Sequence, residues 1–129
     1  YTLTFCDWSS EVEVVIPDSH NGKPVTSIGD ESFYHCYEIT SVTIPDSVET
    51  IGIDAFRACR GLESVTIGKG VKNIGLGAFL YCSSIKSVYI DDVTAWCNID
   101  FENYDSNPVY YAAIIFIMIT KYFFICLTS

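Results

Sequence analysis

Apolar residues recur along the chain at an interval of 23 residues. Segments 44–66 and 67–89 are identical at nine aligned positions, most of them apolar. The same frame extends back through Val25 and Ile28, and a partial earlier copy places Glu11, Val14 and Ile16 at the positions of Ile39, Val42 and Ile44. A fixed period of this length indicates a repeat solenoid, in which each copy buries its apolar face against the next.

Each copy contains one short segment suited to a β-strand. Residues 39–44 are rich in β-branched side chains, with apolar residues at the first, fourth and sixth positions, and Pro45 follows directly. Such segments favour short parallel strands that pair between copies at a spacing of about 4.8 Å. The pattern predicts strands near residues 11–16, 39–44, 62–67 and 85–90.

The rest of each copy predicts a packed turn. One large ring and one small residue recur as Ala55-Phe56 and Ala78-Phe79, and a glycine precedes them, which we expect to occupy a turn with positive φ. The insertion at residues 20–24 is rich in turn formers and predicts a loop. Stacking should align equivalent residues of successive copies into columns. The expected columns are Phe33, Phe56, Phe79; Gly29, Gly52, Gly75; and Cys36, Cys59, Cys82.

The pattern L-x-x-I-x-I-P-x-x-V-x-x-I-G-x-x-A-F-x-x-C, best seen at 62–82 and 39–59, resembles the BspA-like class of leucine-rich repeats. Segments 96–101 and 106–111 resemble the segment that often follows such repeats. The resemblance implies a β-rich leucine-rich-repeat solenoid of short parallel strands and turn or 3-10 segments over residues 11–111, with residues 1–10 as an N-terminal cap strand region. Most members are surface or secreted proteins of mucosal bacteria and some protist parasites. The resemblance therefore implies adhesion, host-protein binding and an extracellular or cell-surface location.

The recurring cysteines favour buried thiols over disulfides. Stacked equivalents at Cys36, Cys59 and Cys82 direct their Cβ atoms in parallel, which disfavours a bridge between them. A zinc site is not predicted, because the chain has no C-x-x-C motif and His35 should point away from Cys36.

No catalytic centre, cofactor or metal site is predicted. Histidine is the commonest general base, and the chain has only two, His20 and His35. Neither lies in a catalytic motif. The densest acidic stretch favours a solvated surface, with calcium ligation as the alternative, although its spacing matches no known loop. That stretch comprises Asp91, Asp92, Asp100, Glu102 and Asp105.

Charge narrows the classes of partner. Seven basic and 16 acidic residues give a net charge of −9, and no cluster of Lys or Arg is present to neutralise phosphates. Nucleic acid and anionic membrane surfaces are therefore not expected partners. The opening residues carry no signal-peptide pattern, so we expect the start to be mature or cut from something longer.

Candidate binding residues follow from the strand pattern. The second, third and fifth positions of each strand point away from the core, so stacking arranges them as rows on a concave face. These residues suit polar recognition of a protein or glycan, with Tyr89 as the residue of hot-spot type. The rows are Thr40/Glu63/Lys86, Ser41/Ser64/Ser87 and Thr43/Thr66/Tyr89.

The tail at 112–129 interrupts the repeat pattern. Residues 109–127 carry a single charge, Lys121, over about the length that spans a bilayer. One interpretation is a membrane anchor; the other is an aberrant end of the array, packed on the last coil or disordered.

Two function hypotheses follow, both non-enzymatic. The chain is either a recognition module that binds host protein or glycan through the concave face, or a passive spacer or accessory domain of a larger surface protein or enzyme. An enzymatic function has little support in the sequence.

Overall fold

The computed structural model describes residues 11–112 and the backbone of residues 114–119 and 122–127. The predicted region 1–10 lies outside the described residues. Over the described residues the chain winds into a parallel-strand β-solenoid of about four coils, so the predicted fold class is confirmed.

The strands are short and recur once or twice in each coil. A five-residue helix, α1, spans Val93–Cys97, and 3-10 helices span Tyr104–Ser106 and Pro108–Tyr110. The strands are β1 (Val12–Val15), β2 (Ser19–His20), β3 (Lys23–Pro24), β4 (Ser27–Ile28), β5 (Ile39–Ile44), β6 (Thr50–Ile51), β7 (Ser64–Ile67), β8 (Asn73–Ile74), β9 (Ser87–Ile90), β10 (Asp100–Phe101), β11 (Ile114–Ile119) and β12 (Tyr122–Leu127).

The first side of the coil is a sheet whose strand order, over the described residues, is β1-β5-β7-β9-β11-β12. The pairs β5–β7 and β7–β9 are parallel with no register shift, so Val42 lies opposite Val65 and Val65 opposite Val88. These valines are buried while their strand neighbours remain half-exposed. Residues that are 23 apart in the sequence are therefore paired across neighbouring strands.

A second parallel sheet, ordered β10-β8-β6-β4, forms another side of the coil. It places Ile28 opposite Ile51 and Ile51 opposite Ile74, and all three side chains are buried. Asp100 and Phe101 extend this sheet by pairing with Asn73 and Ile74.

Turns form the third side, and they also bond from coil to coil. The N–H of Phe33 donates to the carbonyl of Ala55 at 2.7 Å, and the N–H of Phe56 donates to that of Ala78 at 2.8 Å. Two positions in each turn have positive φ, the left-handed region that L-residues other than Asn and Asp rarely adopt. They are Glu31, Asp54 and Gly77 at the first position, and His35, Ala58 and Tyr81 at the second.

The phenylalanine column fills the interior behind these turns. The Phe33 and Phe56 rings are stacked with centroids 5.0 Å apart, and the Phe56 and Phe79 rings are stacked at 5.3 Å. Phe56 and Phe79 are fully buried. Phe56 is therefore packed between two equivalent rings.

The glycine column has a different cause from the one predicted. Neither Gly52 nor Gly75 is among the residues with positive φ, so that prediction is wrong. A Cβ at Gly52 would lie 2.6 Å from the Asp30 amide nitrogen, and one at Gly75 would lie 2.8 Å from the Ile53 amide nitrogen. Glycine is required here because the backbones of successive coils approach too closely for any side chain.

The N-terminal coil departs from the regular repeat in two places. A register shift in β1 pairs Val12, and not the charged Glu11, with Ile39. The insertion predicted as a loop is a hairpin of β2 and β3, with positive φ at both Asn21 and Gly22. That combination is typical of the type I′ turn that Asn-Gly favours between antiparallel strands.

The apolar tail extends the first sheet. Strand β11 pairs in parallel with β9, with Ile114 opposite Ser87 and Phe116 opposite Tyr89, and β12 returns antiparallel to β11. Within the part of the chain that the structure describes, no helix is long and apolar enough to cross a membrane. The anchor interpretation remains a prediction.

We expect Phe56→Ala to destabilise the solenoid by about 3 to 5 kcal/mol, because it removes the central ring of a closely packed column. Chemical denaturation followed by circular dichroism measures this change. Should Phe56→Ala not fold, Phe56→Leu serves the same purpose with a smaller expected loss.

Ile53→Ala is the matched control, since Ile53 is an exposed apolar residue of the same coil. Its expected cost is about 0.5 kcal/mol or less. Equal losses for Phe56→Leu and Ile53→Ala would contradict a role for the phenylalanine column in stability.

Candidate functional site

The nine predicted binding residues form what we call the strand face: Thr40, Ser41, Thr43, Glu63, Ser64, Thr66, Lys86, Ser87 and Tyr89. All are half-exposed or exposed. Strand pairing places Ser41 opposite Ser64 and Ser64 opposite Ser87. A second row beside it runs from Thr43 through Thr66 to Tyr89.

Both rows continue into the neighbouring strands. Glu13 lies opposite Ser41, and Val15, which is 72% exposed, lies opposite Thr43. Beyond β9 the register positions are occupied by Ile114 and Phe116. The hydroxyl-rich centre is therefore bordered by strands of more apolar sequence.

The charges of the strand face neutralise each other. The ammonium of Lys86 lies 3.0 Å from a Glu63 carboxylate oxygen, and both side chains are more than half exposed. A solvent-exposed pair of this kind contributes little to stability. It does fix a neighbouring positive and negative group at the edge of the hydroxyl rows.

A cavity of about 250 Å³ adjoins the row of Thr43, Thr66 and Tyr89 where the strands end. Its far wall is built by the turns that follow the strands, including Pro45, Asp46 and Asp91. The Asp46 carboxylate accepts the N–H of Lys69 at 2.9 Å, which holds one turn against the next. Sequence reasoning missed these turn residues because they lie outside the strand pattern.

The acidic residues and histidines considered as metal ligands or general bases are distributed over several elements. Asp92 caps α1 by accepting the N–H of Ala95, and Glu102 accepts the N–H of Leu76. In residues 11–112, no three His, Cys, Asp or Glu side chains are grouped closely enough to hold a metal ion. His20 and His35 are both exposed, His20 in the hairpin strand β2 and His35 in the first turn.

The cysteine column contains two oxidation states. Cys59 and Cys82 are buried thiols, and each donates to a backbone carbonyl of the preceding coil at 3.0 Å. Cys36 is disulfide-bonded, so the prediction of a thiol there is wrong. The geometric argument against a bridge applies only between stacked equivalents, and Cys36 is at the outer end of the column. It does not restrict pairing with a cysteine elsewhere in the chain.

A second exposed cluster lies on the turn side, which sequence reasoning did not consider. Its tyrosines occupy different positions in different repeats, so they give no periodic signal. The signal available was composition, since six of the nine tyrosines are here. We call it the aromatic belt: Tyr34, His35, Tyr37, Arg57, Tyr81, Tyr104, Tyr110 and Tyr111.

The repeat is matched by the model of the BspA type leucine rich repeat region, in six copies over residues 4–126. The chain belongs to the BspA-type leucine-rich-repeat family. This match extends beyond both ends of the predicted range 11–111. Repeats of this family are generally protein-interaction modules, and its proteins are typically non-enzymatic.

Solved leucine-rich-repeat structures share the fold. A leucine-rich-repeat protein from Bacteroides capillosus is 31% identical, with a TM-score of 0.59 over 79% of this chain and 86% of its own. The leucine-rich-repeat protein of T. pallidum is 27% identical, with a TM-score of 0.61 over 70% of this chain. This BspA-type chain spans about half of the T. pallidum protein, 51%.

A third structure is that of a leucine-rich cell surface protein from Faecalibacterium prausnitzii. It is 37% identical to the BspA-type chain, with a TM-score of 0.52 over 70% of this chain and 28% of its own. No curated protein is significantly similar in sequence.

The thiols should differ in reactivity towards iodoacetamide. The neighbouring Cys82 thiol, and then burial, raise the pKa of the Cys59 thiol far above its usual range, so the reactive thiolate is scarce. Cys97 is an exposed thiol. In the native protein we expect labelling at Cys97 but not at Cys59 or Cys82, and labelling of all three after denaturation, as measured by peptide mass mapping.

Cys97→Ser is the control for that assignment, since it should remove the label at position 97 without exposing Cys59 and Cys82. Native labelling of Cys59 at a rate similar to that of Cys97 would contradict a closed core.

Proposed function

We propose that this chain is a non-catalytic, cell-surface or secreted recognition module that binds host protein or glycan through the strand face. The observation that carries the proposal is the uninterrupted register of β5, β7 and β9, which arranges hydroxyls in two rows beside the cavity at the strand ends. Hydroxyls both donate and accept hydrogen bonds, so such rows suit a polar partner surface.

Tyr89 is the expected anchor of this face. It ends the threonine row and also lines the cavity, so its ring contributes to both features. Tyrosine supplies a large contact area at low cost in conformational entropy. The adjoining pair of Lys86 and Glu63 would add polar contacts of both signs.

The surface location is supported by similarity. The Faecalibacterium prausnitzii relative is described as a cell surface protein, and it is the relative of highest identity among the three compared. An adhesive role at the cell surface follows from that location together with the strand face.

Replacing Tyr89, Glu63 and Lys86 together with alanine should lower binding by about 30-fold or more, because an interface anchor contributes roughly 2 kcal/mol or more. Biolayer interferometry against immobilised host surface proteins and mucin-type glycans measures this. Retained binding of the triple variant to any ligand of the wild type would reject the strand face.

Lys72→Ala with Glu49→Ala is a matched control, since this pair is also 3.0 Å apart, joins neighbouring coils and directly precedes strands β8 and β6 of the second sheet. Its binding should be unchanged. If the wild-type chain binds no member of the panel, the passive-spacer hypothesis is favoured.

A further inference from the structure

The aromatic belt forms a continuous series of contacts from the first turn to the C-terminal 3-10 helices. The Tyr37 hydroxyl lies 2.6 Å from Nδ1 of His35, whose ring is 4.1 Å from that of Tyr34. At the other end, the ring centroids of Tyr104 and Tyr110 are 5.3 Å apart. The Tyr111 hydroxyl accepts the N–H of Tyr81 at 2.9 Å and so joins the two halves.

The centre of the belt holds an arginine between two tyrosine rings. The guanidinium carbon of Arg57 lies 5.8 Å from the centre of the Tyr34 ring and 5.7 Å from that of Tyr81. Asp54 completes the arrangement, with a carboxylate oxygen 3.1 Å from the guanidinium. A cation held by ring faces and one carboxylate is a favourable combination at a protein surface.

The C-terminal end of the belt also has two tyrosine rings and an acidic residue, but no cationic side chain. Tyr104 and Tyr110 are 66% and 60% exposed, and Asp105 is the residue next to Tyr104. Asp105 lies in the same 3-10 helix as Tyr104, and its backbone carbonyl accepts the N–H of Phe79 at 3.2 Å, which holds this helix against the last turn. Between Lys86 and Lys121 the sequence has no Lys, Arg or His.

The belt suits a macromolecular partner better than a small ligand. The belt crosses successive coils, with Tyr34, Arg57 and Tyr81 in three consecutive turns, and so extends farther than a small ligand. Tyrosine and arginine are the residue types enriched in protein–protein interfaces.

We propose that the aromatic belt binds an arginine-bearing segment of a partner protein, with Tyr104 and Tyr110 receiving a guanidinium group and Asp105 pairing with it. The contacts of Arg57 with Tyr34 and Tyr81 are an example, within the belt, of tyrosine rings packed against a guanidinium at 5.8 and 5.7 Å. The chain's net charge of −9 attracts a basic segment over a longer range. This surface is separate from the strand face and does not depend on it.

The experiment uses the whole chain and a fluorescein-labelled peptide of repeated Gly-Ser-Arg units as the probe. Fluorescence anisotropy measures its affinity beside that of a matched Gly-Ser-Glu peptide, which should not bind. Tyr104→Leu with Tyr110→Leu should weaken binding of the arginine peptide about tenfold, since two exposed cation–π contacts are lost. Tyr104→Phe with Tyr110→Phe retains both rings and should restore binding to within about threefold of the wild type.

Matched variants separate the belt from general charge attraction. Asp105→Asn should weaken binding, while Glu49→Gln, the same loss of charge beside the second sheet, should not. Tyr89→Leu tests a tyrosine of the strand face and should leave the affinity for the arginine peptide unchanged. Circular dichroism establishes that each variant is folded.

Three results would overturn the proposal. One is equal binding by the Leu and Phe variants, which would mean that the rings are not used. Another is equal weakening by Asp105→Asn and Glu49→Gln, which would mean general attraction to an acidic chain. The third is no measurable binding of the arginine peptide to the wild type. If the double Leu variant does not fold, the Phe variants and the two carboxylate variants still decide the question.

Discussion

Coil-to-coil hydrogen bonding in fixed register is the constraint on which the rest of this structure depends. Each coil uses two short strands and a turn, none of them long enough to be stable alone. Backbone groups on all three sides therefore find partners in the neighbouring coil. That register aligns equivalent side chains, so one buried position becomes a column and one exposed position becomes a row.

The same constraint explains residues that are unsuited to their local conformation. Successive backbones approach so closely at Gly52 and Gly75 that no Cβ fits. In the turns, Glu31, Asp54, His35, Ala58 and Tyr81 adopt left-handed conformations that cost free energy in isolation. The N–H groups of the first four donate to carbonyls of the following coil, and that of Tyr81 donates to the Tyr111 hydroxyl, which holds these turns in place. The turn side chains that form the aromatic belt are oriented as a result.

The periodic part of the molecule could be predicted from the sequence, and the aperiodic part could not. The 23-residue interval was sufficient to place Ser41, Ser64 and Ser87 in one row, because residues one period apart occupy the same position in successive coils. Cys36 shows the limit, since its disulfide depends on a contact outside the column. Tyr104 and Tyr110 likewise join the belt through chain paths that follow no period. The binding role of the strand face remains a prediction, since the rows alone do not reveal a ligand.

The direction of the inter-coil hydrogen bonds has a mechanical consequence. In a solenoid these bonds run along the stacking axis, so a pulling force applied between the two ends is carried in full by every coil boundary. The outermost coil has a neighbour on one side only, so it would separate first, and the array would lengthen in steps under modest tension. A force across the coils would instead load many strands together in shear and meet greater resistance. The orientation in which such a chain is tethered would thus determine whether it yields gradually or holds.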